Sequence, residues 1–172
     1  MIKFLEFINM KIILKNNKTI VYDDFQFKCA IGANGSTWNK NEGDKKTPKG
    51  KYTLGPLYYR EDRVDKPVTK LKTIKIKKDM GWCDDVFHKK YNKLIKINKK
   101  IKFEKMWRKD QIYDLLIPIH YNTKKIVKNK GSAIFIHLSK NYKKTLGCIA
   151  LKKQDLLILL KLIKKGTKIK IN

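Results

Sequence analysis

From Lys11 onward the apolar residues of this chain recur at every second position, in short runs broken by Gly, Pro and Asn. Successive side chains of an extended strand point to opposite faces, so this pattern buries one face and leaves the other to lysines. Ile12 and Leu14, then Ile20, Tyr22, Phe25 and Phe27, flank the polar turn Asn16-Asn17-Lys18, which predicts a β-hairpin over Lys11 to Ile31. Tyr52 to Leu57, Thr73 to Ile76 and Leu94 to Ile97 repeat the alternation. Ile112 to His120 and Ala133 to Leu138 are more continuously apolar and predict buried central strands. Between the first strands and Tyr52, Gly32 to Gly50 reads as a long loop, with Asn34-Gly35, Gly43-Asp44 and Thr47-Pro48-Lys49-Gly50 as turn formers. A period of 3.6 residues is strong in one segment, where Gln154 and Asp155 open a helix. Leu156, Leu157, Leu159, Leu160 and Ile163 form its stripe, Gly166 stops it, and Thr167 to Ile171 makes a last strand. The expected fold is a mainly β domain of sandwich or barrel type with one principal C-terminal helix and long loops.

The 172 residues suit a single domain, and 42% hydrophobic content supplies a core despite 33% charged residues. The longest uncharged apolar run, Leu156 to Leu160, is far below the ~20 residues a spanning helix needs. Glu6, Asn9 and Lys11 interrupt the apolar start of the chain, so no export signal is expected there. The net charge of +27 suggests a polyanionic partner, and it disfavours self-association, so a monomer is the default. Yet every basic residue except Arg60, Arg63 and Arg108 is Lys. Arg is the residue suited to bidentate phosphate and base recognition, so the lysines read as a solvated surface and no specific nucleic-acid partner is expected.

Three cysteines, Cys29, Cys83 and Cys148, leave at least one thiol outside any intrachain disulfide. Cys29 follows alternating aromatics and reads as a packed thiol, and His120 reads as structural at the end of a buried strand. Trp82, Cys83, Asp84, Asp85 and His88 contain metal-ligand types, but their spacing matches no zinc pattern, and a loop capped by carboxylates is expected instead of a metal. The segment Gly131-Ser-Ala-Ile-Phe-Ile-His137 is followed eleven residues later by Cys148, within Thr145-Leu146-Gly147-Cys148. A cysteine nucleophile needs a base within reach and backbone N–H groups aimed at the developing oxyanion. If the 138–144 loop folds back, His137 meets Cys148 and the imidazole lowers the thiol pKa toward neutrality. A small core cysteine and a satisfied strand-end histidine are the alternative reading of the same residues.

These residues resemble the L,D-transpeptidase catalytic domain of YkuD type, whose signature is a His at a strand end followed by Ser/Thr-x-Gly-Cys. Thr145-x-Gly147-Cys148 fits it, and Thr47-Pro48-Lys49-Gly50-Lys51-Tyr52 looks like the family's Thr-Pro-x-Gly-x-aromatic segment. Further matches are Tyr59-Arg60-Glu61-Asp62-Arg63, Gly81-Trp82-Cys83-Asp84-Asp85, Tyr91-Asn92, Trp107-Arg108-Lys109-Asp110 and Tyr113-Asp114. The resemblance runs from about Phe27 to Ile171. It implies a cysteine acyltransferase acting on peptidoglycan stem peptides in the periplasm or cell envelope, with no metal or organic cofactor. Cys148 is the implied nucleophile, His137 the base and later acid, and the amides around Gly147 and Cys148 the oxyanion holders. Crosslinking of stems and trimming by L,D-carboxypeptidase action are both implied.

Two positions depart from the family pattern: Leu138 stands where Gly commonly follows the His, and Ala150 stands where Arg commonly lies two residues beyond the Cys. Arg60 and Arg63 are the candidate replacement cations for a stem carboxylate, or else they pair with Glu61, Asp62 and Asp65 on their own loop. Trp82, Tyr91, Asn122 and Thr145 are candidates to border the substrate groove. The competing function is an inactive binding module in which the basic surface grips anionic cell-wall polymer or nucleic acid, with affinity that collapses in salt.

Overall fold

The computed structural model describes residues 11–98 and 100–172. The apolar start on which the absence of an export signal rests falls mostly on residues 1–10, outside the described residues. In chain order the strands are β1 (Lys11–Lys15), β2 (Thr19–Tyr22), β3 (Phe25–Ala30), β4 (Ser36–Thr37), β5 (Thr47–Pro48), β6 (Gly50–Thr53), β7 (Leu57–Tyr59) and β8 (Thr73–Lys75). They continue with β9 (Met80–Cys83), β10 (Leu94–Lys96), β11 (Phe103–Lys105), β12 (Leu115–Pro118), β13 (Phe135–Leu138), β14 (Ile149–Leu151) and β15 (Lys168–Ile171). The helix α1 (Lys153–Leu162) precedes β15.

Ten strands form one sheet in the order β6-β15-β1-β2-β3-β14-β13-β12-β7-β8, curled into a half-barrel. The predicted β class and single principal helix hold. Asn16 and Asn17, both with positive φ, make the predicted hairpin turn, and Asp23 makes the next. Side chains of β1, β2, β13, β14 and β15 meet α1 in the main core, where Ile12, Ile136, Ile149, Leu156, Leu159 and Leu160 are fully buried. The helix thus spends its apolar stripe on the sheet, as globular packing predicts. The opposite face of the central strands carries a second apolar cluster built on Phe135, Leu116, Tyr58 and Trp82. A small sheet, β10-β9-β11, packs on that side through Trp82.

Several boundaries differ from the sequence reading for local reasons. The helix stops at Leu162 instead of reaching toward Gly166: Ile163 is extended, and the Thr167 hydroxyl takes the Lys164 N–H at 3.0 Å. The predicted strand over Tyr52 to Leu57 is two strands, β6 and β7, interrupted at Gly55-Pro56. The Ala133 to Leu138 strand begins only at Phe135 because Ala133 takes φ +50°. Within the Gly32 to Gly50 loop, β4 and β5 pair in parallel, Ser36 opposite Thr47 and Thr37 opposite Pro48.

Candidate active site

The central feature is the parallel pair β13 and β14, with Ile136 opposite Ile149 and His137 opposite Ala150. Because side chains alternate along a strand, His137 and Phe135 share a face with Ala150 and with Cys148, which directly precedes β14. Ile136, Leu138, Ile149 and Leu151 point the other way, into the main core. The continuous apolar character of both segments follows from this burial on two sides. His137 and Cys148, almost fully buried, line one cavity of about 560 Å3. Glu42, Asp84 and Glu104 bring carboxylates into it, and the loop after β13 brings Lys140, Lys143 and Lys144.

The Thr145-Leu146-Gly147-Cys148 turn is closed on itself. The Thr145 hydroxyl donates to the Cys148 carbonyl at 2.6 Å and accepts the Gly147 N–H at 3.1 Å. The Gly147 amide is therefore already engaged, whereas the Cys148 N–H has no protein partner among the described residues. Thr47, fully buried, ties this turn to the other motif: its hydroxyl donates to the Gly147 carbonyl at 2.9 Å and accepts the Gly32 N–H at 3.0 Å. Gly147 has φ +141°, and a Cβ there would lie 2.9 Å from the Lys46 carbonyl oxygen. Glycine is required at this position on both counts.

The thiol and imidazole are held separately. Cys148 donates to the Ala133 carbonyl at 3.2 Å, and its sulfur accepts the Phe135 N–H at 3.4 Å. His137 Nδ1 lies 2.9 Å from the Leu138 carbonyl oxygen. Since a carbonyl only accepts, Nδ1 carries the proton and Nε2 keeps its lone pair. The Tyr113 ring stands edgewise to His137 at 5.3 Å, with Arg108 over its face at 5.0 Å and its hydroxyl on Glu104 at 3.2 Å. Burial pushes the Cys148 thiol up to about 12, partly offset by the Phe135 N–H. This corrects the expectation of a thiol pKa lowered toward neutrality: desolvation outweighs any help from the imidazole. Burial likewise lowers His137 to about 4, so both groups rest uncharged at neutral pH. Burial also raises the Asp84 and Glu104 carboxyls.

The folded chain keeps His137 neutral down to about pH 4, whereas an unfolded chain protonates it near 6.5. Between those values the unfolded state binds the extra proton, so stability drops as the pH is lowered through this window. The expected loss is roughly 3 kcal/mol. Urea melts at neutral pH and at about pH 4 measure it, and a His137→Gln protein should lose that part of the slope.

Of the other residues singled out from sequence, Thr145 lines the cavity and five do not. Arg60 is buried, grips Asp62 with two hydrogen bonds of 2.7 Å, donates to the Arg108 carbonyl and stacks on Trp107 at 3.6 Å. Arg63 lines a neighbouring cavity. Tyr91 and Ser132 hydroxyls both donate to Glu42, and the Tyr91 oxygen accepts the Gly131 N–H at 3.1 Å. Asn122 holds Val127 and Gly131. Trp82 donates its indole N–H to Asn92 Oδ1 at 2.9 Å, and that oxygen also accepts the Ala133 N–H at 3.1 Å. Asn92, nearly fully buried, thereby fixes the left-handed Ala133 whose carbonyl holds the Cys148 thiol.

Thr47, Asn92, Glu42 and Tyr113 were not singled out as site residues by the sequence; Thr47 lay within the Thr-Pro segment, and Asn92 followed the quoted Tyr91. Removing the Asn92 side chain in Asn92→Ala leaves the Trp82 and Ala133 donors unpaired. It should cost about 1–3 kcal/mol in thermal or urea unfolding. Alkylation kinetics of Cys148 at fixed pH should change as well, because the thiol loses its fixed acceptor. Around Cys83, the sulfur lies 3.9 Å from His88 Nδ1 and Asp85 caps the Phe87 N–H at 3.0 Å. Among the described residues no three His, Cys, Asp or Glu side chains gather as metal ligands. Cys29 packs in the main core, where burial pushes its thiol up to about 12.

Fold and cavity together define a half-barrel β domain that sets a thiol and an imidazole on one face of adjacent parallel strands. The YkuD family, L,D-transpeptidase catalytic domain, matches residues 9–171, and the chain belongs to that family. The family is one of L,D-transpeptidase-type catalytic domains, and its theme is the cell wall. Among solved structures it is similar to that described as "Structure of Bdellovibrio bacteriovorus Bd1075", with a TM-score of 0.51 and 15% identity over 95% of this chain. The present chain spans 48% of that one, and at this identity the likeness is one of fold. No curated protein matches the chain significantly. Among the described residues no helix is long and apolar enough to cross a membrane.

Proposed function

We propose that the protein is a peptidoglycan L,D-transpeptidase that works through a thioester on Cys148. The observation that carries this reading is the shared cavity of His137 and Cys148 on one face of β13 and β14. As a stem tetrapeptide enters, the sulfur leaves the Ala133 carbonyl and attacks the carbonyl at the diamino-acid residue. His137 Nε2 takes the thiol proton, and the Leu138 carbonyl steadies the imidazolium through Nδ1. The unengaged Cys148 N–H is the candidate donor to the oxyanion. The imidazolium then protonates the departing D-Ala amine. A second stem amine, or water, resolves the thioester, giving crosslinking or L,D-carboxypeptidase action. The resting pair being neutral, proton transfer accompanies attack rather than preceding it. Thr145 and Gly147 hold the turn. The place of action is the cell envelope.

Incubation of the purified protein with stem tetrapeptide, followed by intact-mass and muropeptide analysis, tests the reading. A mass gain at Cys148 with release of D-Ala is expected. Unchanged muropeptides and an unmodified protein overturn it and leave the basic surface as the functional feature, to be examined by a salt series on sacculi.

A further inference from the structure

The sheet face that carries Cys148 and His137 does not end at β14. Ala150 lies opposite Ala30 of β3, and Lys28, two residues earlier in that strand, projects to the same side. Further strands extend this face, because Ile12, Leu14, Ile20, Ile169 and Ile171 all turn to the main core. Their outward positions carry Lys11 and Lys15 on β1 and Lys168 and Lys170 on β15, and Lys51 follows on the edge strand β6. Lys170 stands directly opposite Lys51, and Lys11 directly opposite Lys168. Like charges placed opposite one another across strands destabilise a sheet. These four lysines wall a shallow groove of about 150 Å3. Among the described residues Lys11, Lys15, Lys28, Lys51, Lys168 and Lys170 have no ion-pair partner, and β1, β2, β3, β6 and β15 contain no Asp or Glu. Neighbouring strands lie about 4.8 Å apart, so the cationic face covers about 19 Å from β3 to β6 and begins one strand away from β14. At that inner end Lys28 Nζ lies 4.6 Å from the centroid of Tyr142, in the loop that brings Lys140, Lys143 and Lys144 to the cysteine cavity.

Unmatched ammonium groups, held side by side at a cost to the sheet, fit a ligand that carries repeated negative charge. The outward positions of β1, β2, β6 and β15 hold no aromatic residue and no Arg, so neither base stacking nor bidentate base reading is provided. No large apolar side chain stands out from them to enter a lipid surface, since Ile13 and Val21 are half-buried. What the face does offer is continuity with the cysteine cavity, and a polymer that carries the substrate can use both at once. We propose that this lysine face holds the peptidoglycan strand itself, through the carboxylates of stems other than the one being cut, and so keeps the domain on its polymer between turnovers. The choice of occupant rests on the transpeptidase reading above, whereas the binding needs no thioester. Lysine suits the task because a point charge on a flexible stem accepts carboxylates at uneven spacing.

Sedimentation with purified sacculi freed of phosphate polymers, in a Cys148→Ala background, reads binding without turnover. Lys11→Gln, Lys51→Gln, Lys168→Gln and Lys170→Gln together should lower affinity about tenfold or more at low salt and flatten its salt dependence. Because these changes remove like-charge pairs, the thermal midpoint should not fall. The matched control is Lys66→Gln, Lys70→Gln, Lys72→Gln and Lys77→Gln, in the segments flanking β8 at the other end of the sheet. Those four are exposed and without ion-pair partners among the described residues, and their loss should leave affinity within about twofold. Both variants give up the same formal charge, so a difference between them reports position and not net charge. Amidation of the sacculus carboxyls should abolish the difference. Equal losses in the two variants, or no loss in the first, overturn the proposal. Face-dependent binding to duplex DNA or to anionic vesicles that is tighter than binding to sacculi overturns it too, by making a nucleic acid or a membrane the occupant. A wild-type protein that forms no thioester with stem tetrapeptide overturns the transpeptidase reading alone, and the sedimentation still decides the role of the face.

Discussion

Cys148→Ala should abolish acylation by a stem tetrapeptide, lowering turnover by about 10³-fold or more, the order seen when a nucleophile acting in concert with its base is removed. The fold should survive, because the sulfur's partners are two backbone groups, the Ala133 carbonyl and the Phe135 N–H, and the replacement leaves only a small gap. Intact mass after incubation and a thermal melt give the two readouts. The wild-type thiol should also show a particular pH response. With its pKa near 12, Cys148 should alkylate slowly at neutral pH and accelerate without a plateau as the pH rises past the usual thiol range. A plateau near neutrality would mean a resting thiolate–imidazolium pair and would contradict the neutral ground state drawn from the burial of both groups.

Gly147→Ala should lower acylation by about 10²-fold, because a displacement of about 1 Å at a reacting group costs that much. Its φ of +141° is a region L-residues rarely adopt, and the added methyl would press on the Lys46 carbonyl at 2.9 Å and on Ile134 Cδ1 at 3.3 Å. Relief requires the turn to move, and the turn carries Cys148. Gly166→Ala is the matched control: its φ is +89° with no atom within 4 Å of the new Cβ, so it meets backbone strain without collision and should leave acylation near wild type. Equal losses in the two variants would show that strain alone, and not the contact with Lys46, explains the effect.

The strand that ends on His137 was legible because burial on both faces leaves a continuous apolar signature, as in Phe135 to Leu138; its parallel neighbour, Ile149–Leu151, is equally buried but only three residues long, too short a run to read as a strand. The turn before Cys148 was legible through Gly147, which frees the backbone there, whereas Thr145 entered through the family resemblance and its closing of the loop shows only in the fold. Less legible was the direction in which polar side chains point. Trp82, Tyr91 and Asn122 have the composition of a groove lining, yet their polar atoms are spent on Asn92, Glu42 and the 127–131 backbone. Arg60 is scarce and charged, which drew it into the site by type; a stack on Trp107 and the Asp62 carboxylate hold it elsewhere. The thiol pKa was misread for a related reason. Proximity to a base can be inferred from spacing, but the desolvation that outweighs it depends on Phe135, Tyr113 and their neighbours closing over the sulfur.

Thr47 and the Gly147 carbonyl it binds are 100 positions apart in the chain. A polypeptide emerging from the ribosome therefore carries half of this clasp long before the other half exists. The sulfur arrives later still than the loop that must receive it, and the base enters with β13 only shortly before. Contacts of such long range form late. The cavity is consequently unassembled for most of the chain's synthesis, and Cys148 and His137 come to share it only when the central strands have closed.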